Sequence, residues 1–217
     1  MPVKKRTNNN KKKCVTFSDD TTLTQHSQKK KNTDHEHPPV FVRKTLSTIP
    51  WHLIGLLYYY IYISDNYNTL NLLIGLIPLQ ILYLTYQFNN FTVYGNKILK
   101  LNIPLIFISL GAASLLAIPA VIIVILFGAP MIEKLKETSL LALQGCFLAY
   151  PAVYSVFNCD FKVGLWKKYF IFIVLGGWFS CVVIPLDWDR EWQAWPIPIV
   201  IGSYIGAFVG YTLGAYI

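Results

Sequence analysis

The chain reads as one long polar stretch followed by six apolar ones. Residues 1–46 mix Lys, Asn, Thr, Ser and His with few apolar side chains. Such a segment buries too little to offset its ordering entropy. Apolar runs then recur at 46–63, 70–88, 101–127, 139–157, 169–186 and 195–217. They are continuously apolar and do not alternate, which reads as helix and not as barrel strand. Each is near the length that crosses about 30 Å of hydrocarbon at 1.5 Å per residue. The first is short and rich in tyrosine (Tyr58, Tyr59, Tyr60, Tyr62). The third carries Pro104 and Pro119, so it is expected to tilt, to kink at Pro119, or to start before the membrane edge. The predicted fold class is all-α: a polytopic membrane protein, a bundle of six transmembrane helices over 47–217 behind a disordered basic N-terminal tail over 1–46.

Composition agrees, since only 14% of the 217 residues are charged, against about 25% in a soluble domain. The net charge of +8 is concentrated rather than spread. Of 19 Lys and Arg, the tail holds eleven, the 89–100 loop two (Lys97, Lys100) and the 158–168 loop three (Lys162, Lys167, Lys168). Only Lys134, Lys136 and Arg190 fall on the other side. By the positive-inside rule both termini are cytosolic. A basic tail beside a bilayer suits anionic headgroups, so membrane lipids are the expected partner and nucleic acid is not. The sequon Asn90-Phe91-Thr92 then lies on the cytosolic side and is expected to be unmodified.

The candidate chemistry is sparse. None of the six runs contains Asp, Glu, Lys or Arg, whereas coupled transporters need ionisable groups at membrane depth. Gln80 and Gln144 are expected to hydrogen-bond across helices, and His52 to sit at the interface beside Trp51. No nucleophile elbow, zincin motif or phosphate loop appears. Cys14, Cys146, Cys159 and Cys181 show neither metal nor disulfide spacing. No catalytic residue, cofactor or metal site is assigned.

Two features stand out. Residues 185–198, reading P-L-D-W-D-R-E-W-Q-A-W-P-I-P, crowd charges and tryptophans into one short connection. Asp187, Trp188, Asp189, Arg190, Trp192 and Trp195 form a knob at the membrane boundary, either a simple interfacial anchor or a docking surface. Asp187, Asp189 and Glu191 could in principle hold a divalent ion, but Arg190 among them favours a local salt bridge with aromatic packing. In the last run Gly202, Gly206, Gly210 and Gly214 recur every fourth residue. That ridge fits close packing on another helix of this chain, with Gly176-Gly177 as its counterpart, or on a different membrane protein. More weakly, Lys162, Trp166, Lys167 and Lys168 form a positive-inside loop that could grip lipid headgroups.

The segments A-Y-P-A-V-Y-S-V-F-N-C-D-F at 149–161, G-L-W-K-K-Y at 164–169 and the 185–198 knob resemble the PIG-F family. V-T-F-S-D-D-T-T at 15–22 and P-P-V-F-V-R-K at 38–44 resemble its yeast-type members. The resemblance implies an endoplasmic reticulum protein of glycosylphosphatidylinositol (GPI) anchor biosynthesis. It implies as partners the large ethanolamine phosphate transferases PIG-O and PIG-G, which move ethanolamine phosphate from phosphatidylethanolamine to mannose of the GPI precursor. The expected role is therefore a non-catalytic accessory subunit. The alternatives are a scramblase or transporter for a GPI intermediate, or a lipid phosphotransferase acting at Asp187–Glu191.

Overall fold

A computed structural model describes residues 40–216, apart from 44, 95–96, 99, 131, 159–163 and 187. Residues 1–39 of the predicted tail therefore lie outside the described residues, as do Lys162 and Asp187. Seven helices make up most of the described chain. Four are long and apolar enough to cross a membrane: α2 (Thr69–Phe91), α3 (Ile103–Leu126), α6 (Gly164–Ser180, carried on by a 3-10 turn to Val183) and α7 (Ile197–Tyr216). A fifth crossing results if α4 (Leu135–Leu148) and α5 (Tyr150–Asn158), bent by 49° at their junction, count as one span.

The first apolar run departs from its expectation. It folds as a 3-10 turn (Leu46–Thr48), a short helix α1 (Trp51–Tyr58) and a π-helical turn (Tyr59–Ile63). Trp51 to Ile63 is only about 20 Å long, well short of a full hydrocarbon core.

The end of the predicted tail is also ordered. Strand β1 (Val40–Val42) pairs antiparallel with β2 (Thr92–Tyr94), which pairs with β3 (Lys97–Ile98). Arg43 N–H donates to the Phe91 carbonyl at 2.8 Å. The 89–100 loop is thus a small hairpin, and it holds the entry to α1 against the end of α2. The alternating signal was too short to read, since strands of two or three residues carry no period.

Pro119 sits inside α3 and Pro104 in its first turn, where a missing N–H does no harm. α7 is the central element, with half of its span buried against 17% for α3. α6 pairs closely with α7, while α3 lies against α4 and α5. The outer face of α3 is open, with Phe107, Leu115 and Ile118 each about two-thirds exposed. In a bilayer that face meets acyl chains at no cost.

Candidate functional site

Three features position the polar groups, and the first is the α6–α7 seam. A Cβ on Gly176 would lie 2.2 Å from the Gly202 carbonyl oxygen, and one on Gly206 would lie 2.1 Å from the Phe172 carbonyl oxygen. A Cβ on Gly210 would strike the Phe172 side chain at 2.4 Å, and one on Gly177 the Ser203 hydroxyl at 2.8 Å. At Gly214 the contact relaxes to 3.2 Å from Leu165. The ridge is therefore consumed inside the chain. Of its two readings, the geometry is that of the internal contact: Gly206 and Gly210 are buried against α6, while Gly202 and Gly214 are half-buried.

The second feature is a buried network of amides and phenols. The α4–α5 junction falls where Pro151 removes a backbone N–H. Ala152 N–H donates to the Ala149 carbonyl at 2.9 Å, not to that of Leu148, so the Leu148 carbonyl is released from the helix. Two side chains from other helices satisfy it: Gln80 Nε2 at 2.8 Å and Tyr169 Oη at 2.9 Å. Gln80 Oε1 lies 2.9 Å from His52 Nε2, which makes that nitrogen the donor, and the imidazole stacks near Tyr83 with ring centres 4.7 Å apart. Gln80 thus ties α1, α2, α6 and the α4–α5 break together. Nearby, Gln87 donates to Tyr211 at 3.0 Å and Gln144 to Tyr204. Ser109 and the Ile106 carbonyl engage Tyr150 at 3.2 and 3.0 Å, tying α3 to α5. Every one of these residues except His52 and Tyr83, both half-buried, is buried. Broken backbone at membrane depth is tolerated only where other protein groups re-satisfy it.

The third feature is the 185–198 turn. Trp188 and Trp192 pack with ring centres 5.9 Å apart, while Asp189 and Arg190 are exposed. Among the described residues no ion pair joins Arg190 to Asp189 or Glu191, so the expected salt bridge is absent there; Asp187 lies outside the described residues. Asp189 adopts φ 50°, the left-handed region that a short polar side chain enters more readily than most. Gln193 is buried, and its amide nitrogen donates to the carbonyls of Val183 and Leu186. Trp195 is half-buried, and its Nε1 donates to Thr138 Oγ1 at 3.2 Å. The turn is thereby fastened to the start of α4, leaving Trp188, Asp189 and Arg190 as its outward part. Thr138→Val removes this hydrogen bond and the one that the Thr138 hydroxyl donates to the Pro130 carbonyl at 3.4 Å, about 2 kcal/mol in all, and is expected to lower Tm by about 4–8 °C; differential scanning fluorimetry reads it.

Over residues 45–215, nearly all of the described chain, the sequence matches the model of the GPI biosynthesis protein family Pig-F. The chain belongs to the Pig-F family. It is 66% identical over 219 residues to glycosylphosphatidylinositol anchor biosynthesis protein 11 of Saccharomyces cerevisiae, covering both chains in full. It is 65% identical to the protein of that name from Candida glabrata, again over both full lengths, and 56% identical to that of Kluyveromyces lactis over 88% of each. No solved structure matches. Apolar helices and Pig-F membership together mark a membrane protein acting in GPI biosynthesis.

Within this Pig-F chain the weak headgroup assignment needs correction. α6 begins at Gly164, earlier than the apolar run suggested, so Trp166, Lys167 and Lys168 belong to its first turns. Trp166 is fully buried, with its ring parallel to that of Phe88 and edge-on to Tyr169. It is a core residue and cannot reach a headgroup, whereas Lys167 is exposed and Lys168 half-buried. Sequence reasoning assigns no role to Tyr150, Tyr169, Tyr204 and Tyr211, the tyrosines of this network. A signal was present: Gln80 and Gln87, like Tyr204 and Tyr211, are seven apart, two turns along one helix face.

Proposed function

We propose that this chain is a non-catalytic subunit of the endoplasmic reticulum membrane that stabilises a GPI ethanolamine phosphate transferase. In that role it supports transfer of ethanolamine phosphate from phosphatidylethanolamine to mannose of the GPI precursor. Its partners would be the large PIG-O-like and PIG-G-like transferase subunits. The observation that carries the reading is the fate of the buried polar groups. Gln80, Tyr169, Gln144 and Tyr204 hydrogen-bond to one another or to backbone, so they brace helices rather than face a substrate. The 185–198 turn, pinned through Trp195 and with Trp188 and Arg190 outward, is the surface offered to the partner. Exposed aromatics and arginine are the residue types that anchor interfaces.

The reading includes six crossings with both termini cytosolic, α1 making a short first passage together with its flanking turns. In a cysteine-free background, Asn66→Cys and Arg190→Cys should react with an impermeant maleimide only once the lumenal side is opened, and Lys167→Cys from the cytosolic side. The opposite pattern inverts the topology.

Recovery of the complex tests the function. A tagged chain in mild detergent should co-purify a large transferase, identified by mass spectrometry. Trp188→Ala with Arg190→Ala should lower that recovery about tenfold, the effect of a modest hot spot, while the chain stays monodisperse. Turnover of phosphatidylethanolamine by the isolated chain would instead identify a phosphotransferase. Lipid scrambling by the isolated chain in liposomes would identify a transporter.

A further inference from the structure

A groove of about 400 Å³ opens on the outer surface between α1 and α2, lined by Leu56, Tyr59, Asn71, Ile74 and Gly75. Its shape has a local cause. α1 gives way at Tyr59 to the π-helical turn, and π-turns widen a helix and recur at functional sites. Gly75 supplies no side chain to close the gap, and a Cβ there would meet only Leu56 Cδ2, at an ordinary 3.4 Å. Asn71, in the first turn of α2, engages only its backbone N–H, which donates to Asn68 Oδ1 at 3.2 Å. Its side-chain amide is exposed and makes no hydrogen bond among the described residues.

We infer that this groove seats one acyl chain of a glycerophospholipid, with the Asn71 amide donating to the ester carbonyl of that chain. The walls are apolar apart from the amide and the Tyr59 phenol. Asn71 is the third residue of α2, a 23-residue helix of span length, so in a bilayer that α2 crosses the amide falls near one edge of the hydrocarbon, where a diacyl lipid carries its esters. At that edge the free amide N–H groups lack a protein acceptor, and an ester carbonyl is the acceptor that lipid supplies there. A groove of this volume is within the range of sites that hold small ligands. On the exposed face of α3 the Ser114 hydroxyl is already engaged, donating to the Leu110 carbonyl at 3.0 Å.

The test uses the full chain in phosphatidylcholine vesicles doped with an ester-linked phosphatidylcholine carrying a diazirine on one acyl chain. Labelled peptides are mapped by mass spectrometry. Labelling at 56–59 and 71–75 should exceed, per exposed residue, that on the α3 face at 107–108, 115–116 and 122–123. Gly75→Phe fills the trough and should bring groove labelling down to the α3 level with the thermal unfolding curve unchanged. Asn71→Leu should lower it about fivefold, the loss of one neutral hydrogen bond, and should have no effect with an ether-linked analogue that lacks the carbonyl. Groove labelling equal to that of α3, or insensitive to Gly75→Phe, overturns the assignment. Labelling below that of α3 overturns it too, by marking a protein occupant in place of lipid.

Discussion

Gly206→Leu is expected to abolish the folded state under conditions where the wild-type chain is stable. The α6–α7 seam has backbone against backbone, and the first added carbon would sit 2.1 Å from the Phe172 carbonyl oxygen. A flexible side chain could swing away, but a helix carbonyl cannot. The helices must separate, and separation strips contacts from Gly176, Gly202 and Gly210 together. Overpacking a core costs about 1–3 kcal/mol where side chains can yield, and here they cannot, so the loss should reach or exceed the top of that range. Gly214→Leu is the internal control, since its Cβ would meet side-chain atoms no nearer than 3.2 Å, and it should be tolerated far better. Thermal unfolding in detergent, followed by circular dichroism, separates the two. Equal tolerance of both substitutions would refute a backbone-to-backbone contact between Gly206 and α6. Because Gly206→Leu is expected to unfold the chain, loss of a partner on that substitution is secondary to unfolding, and only variants of the 185–198 turn interrogate partner binding.

The second large effect is a coupling. Gln80→Leu or Tyr169→Phe alone leaves the Leu148 carbonyl with one donor, so each should cost about 1 kcal/mol, near the upper part of the range seen for hydrogen bonds between membrane helices. Gln80→Leu also strands His52 Nε2, which is half-buried and can turn toward water, so its extra cost is small. Together the two substitutions leave a buried carbonyl with no partner, and a group stranded in that way costs about 1–3 kcal/mol more. The double mutant should therefore be destabilised by more than the sum of the singles, an interaction free energy of at least about 1 kcal/mol. A double-mutant cycle on chemical denaturation curves measures it. Strict additivity would show that the two donors do not share the carbonyl.

Much of this architecture was legible beforehand. Runs 70–88, 101–127 and 195–217 correspond to α2, α3 and α7 within a few residues, because continuous apolar length is the strongest signal a chain carries. Cross-helix bonding by Gln80 and Gln144 was also legible, since an amide in hydrocarbon must find a partner. The boundaries of α6 were less so. Lys167 and Lys168 look like loop residues, yet at the membrane edge a helix can include lysines whose ammonium groups reach the interface. Trp166 misled for the same reason, as a tryptophan beside lysines looks interfacial until Phe88 and Tyr211 close over it. The strand at Val40–Val42 escaped notice because its partner, Thr92–Tyr94, lies about fifty residues away in sequence.

Hydropathy and spacing by themselves determined that this is a helical membrane chain with a basic front end and one charged, tryptophan-rich turn, and its motifs placed it in the Pig-F family. Those properties are written residue by residue, since water and hydrocarbon sort side chains one at a time. Tertiary structure alone decided that the glycines serve α6, that Gln80 and Tyr169 satisfy the carbonyl freed at the α4–α5 break, and that Trp166 is core. Each depends on which helix lies opposite, and that choice is made by contacts between distant residues whose complementarity no local pattern records.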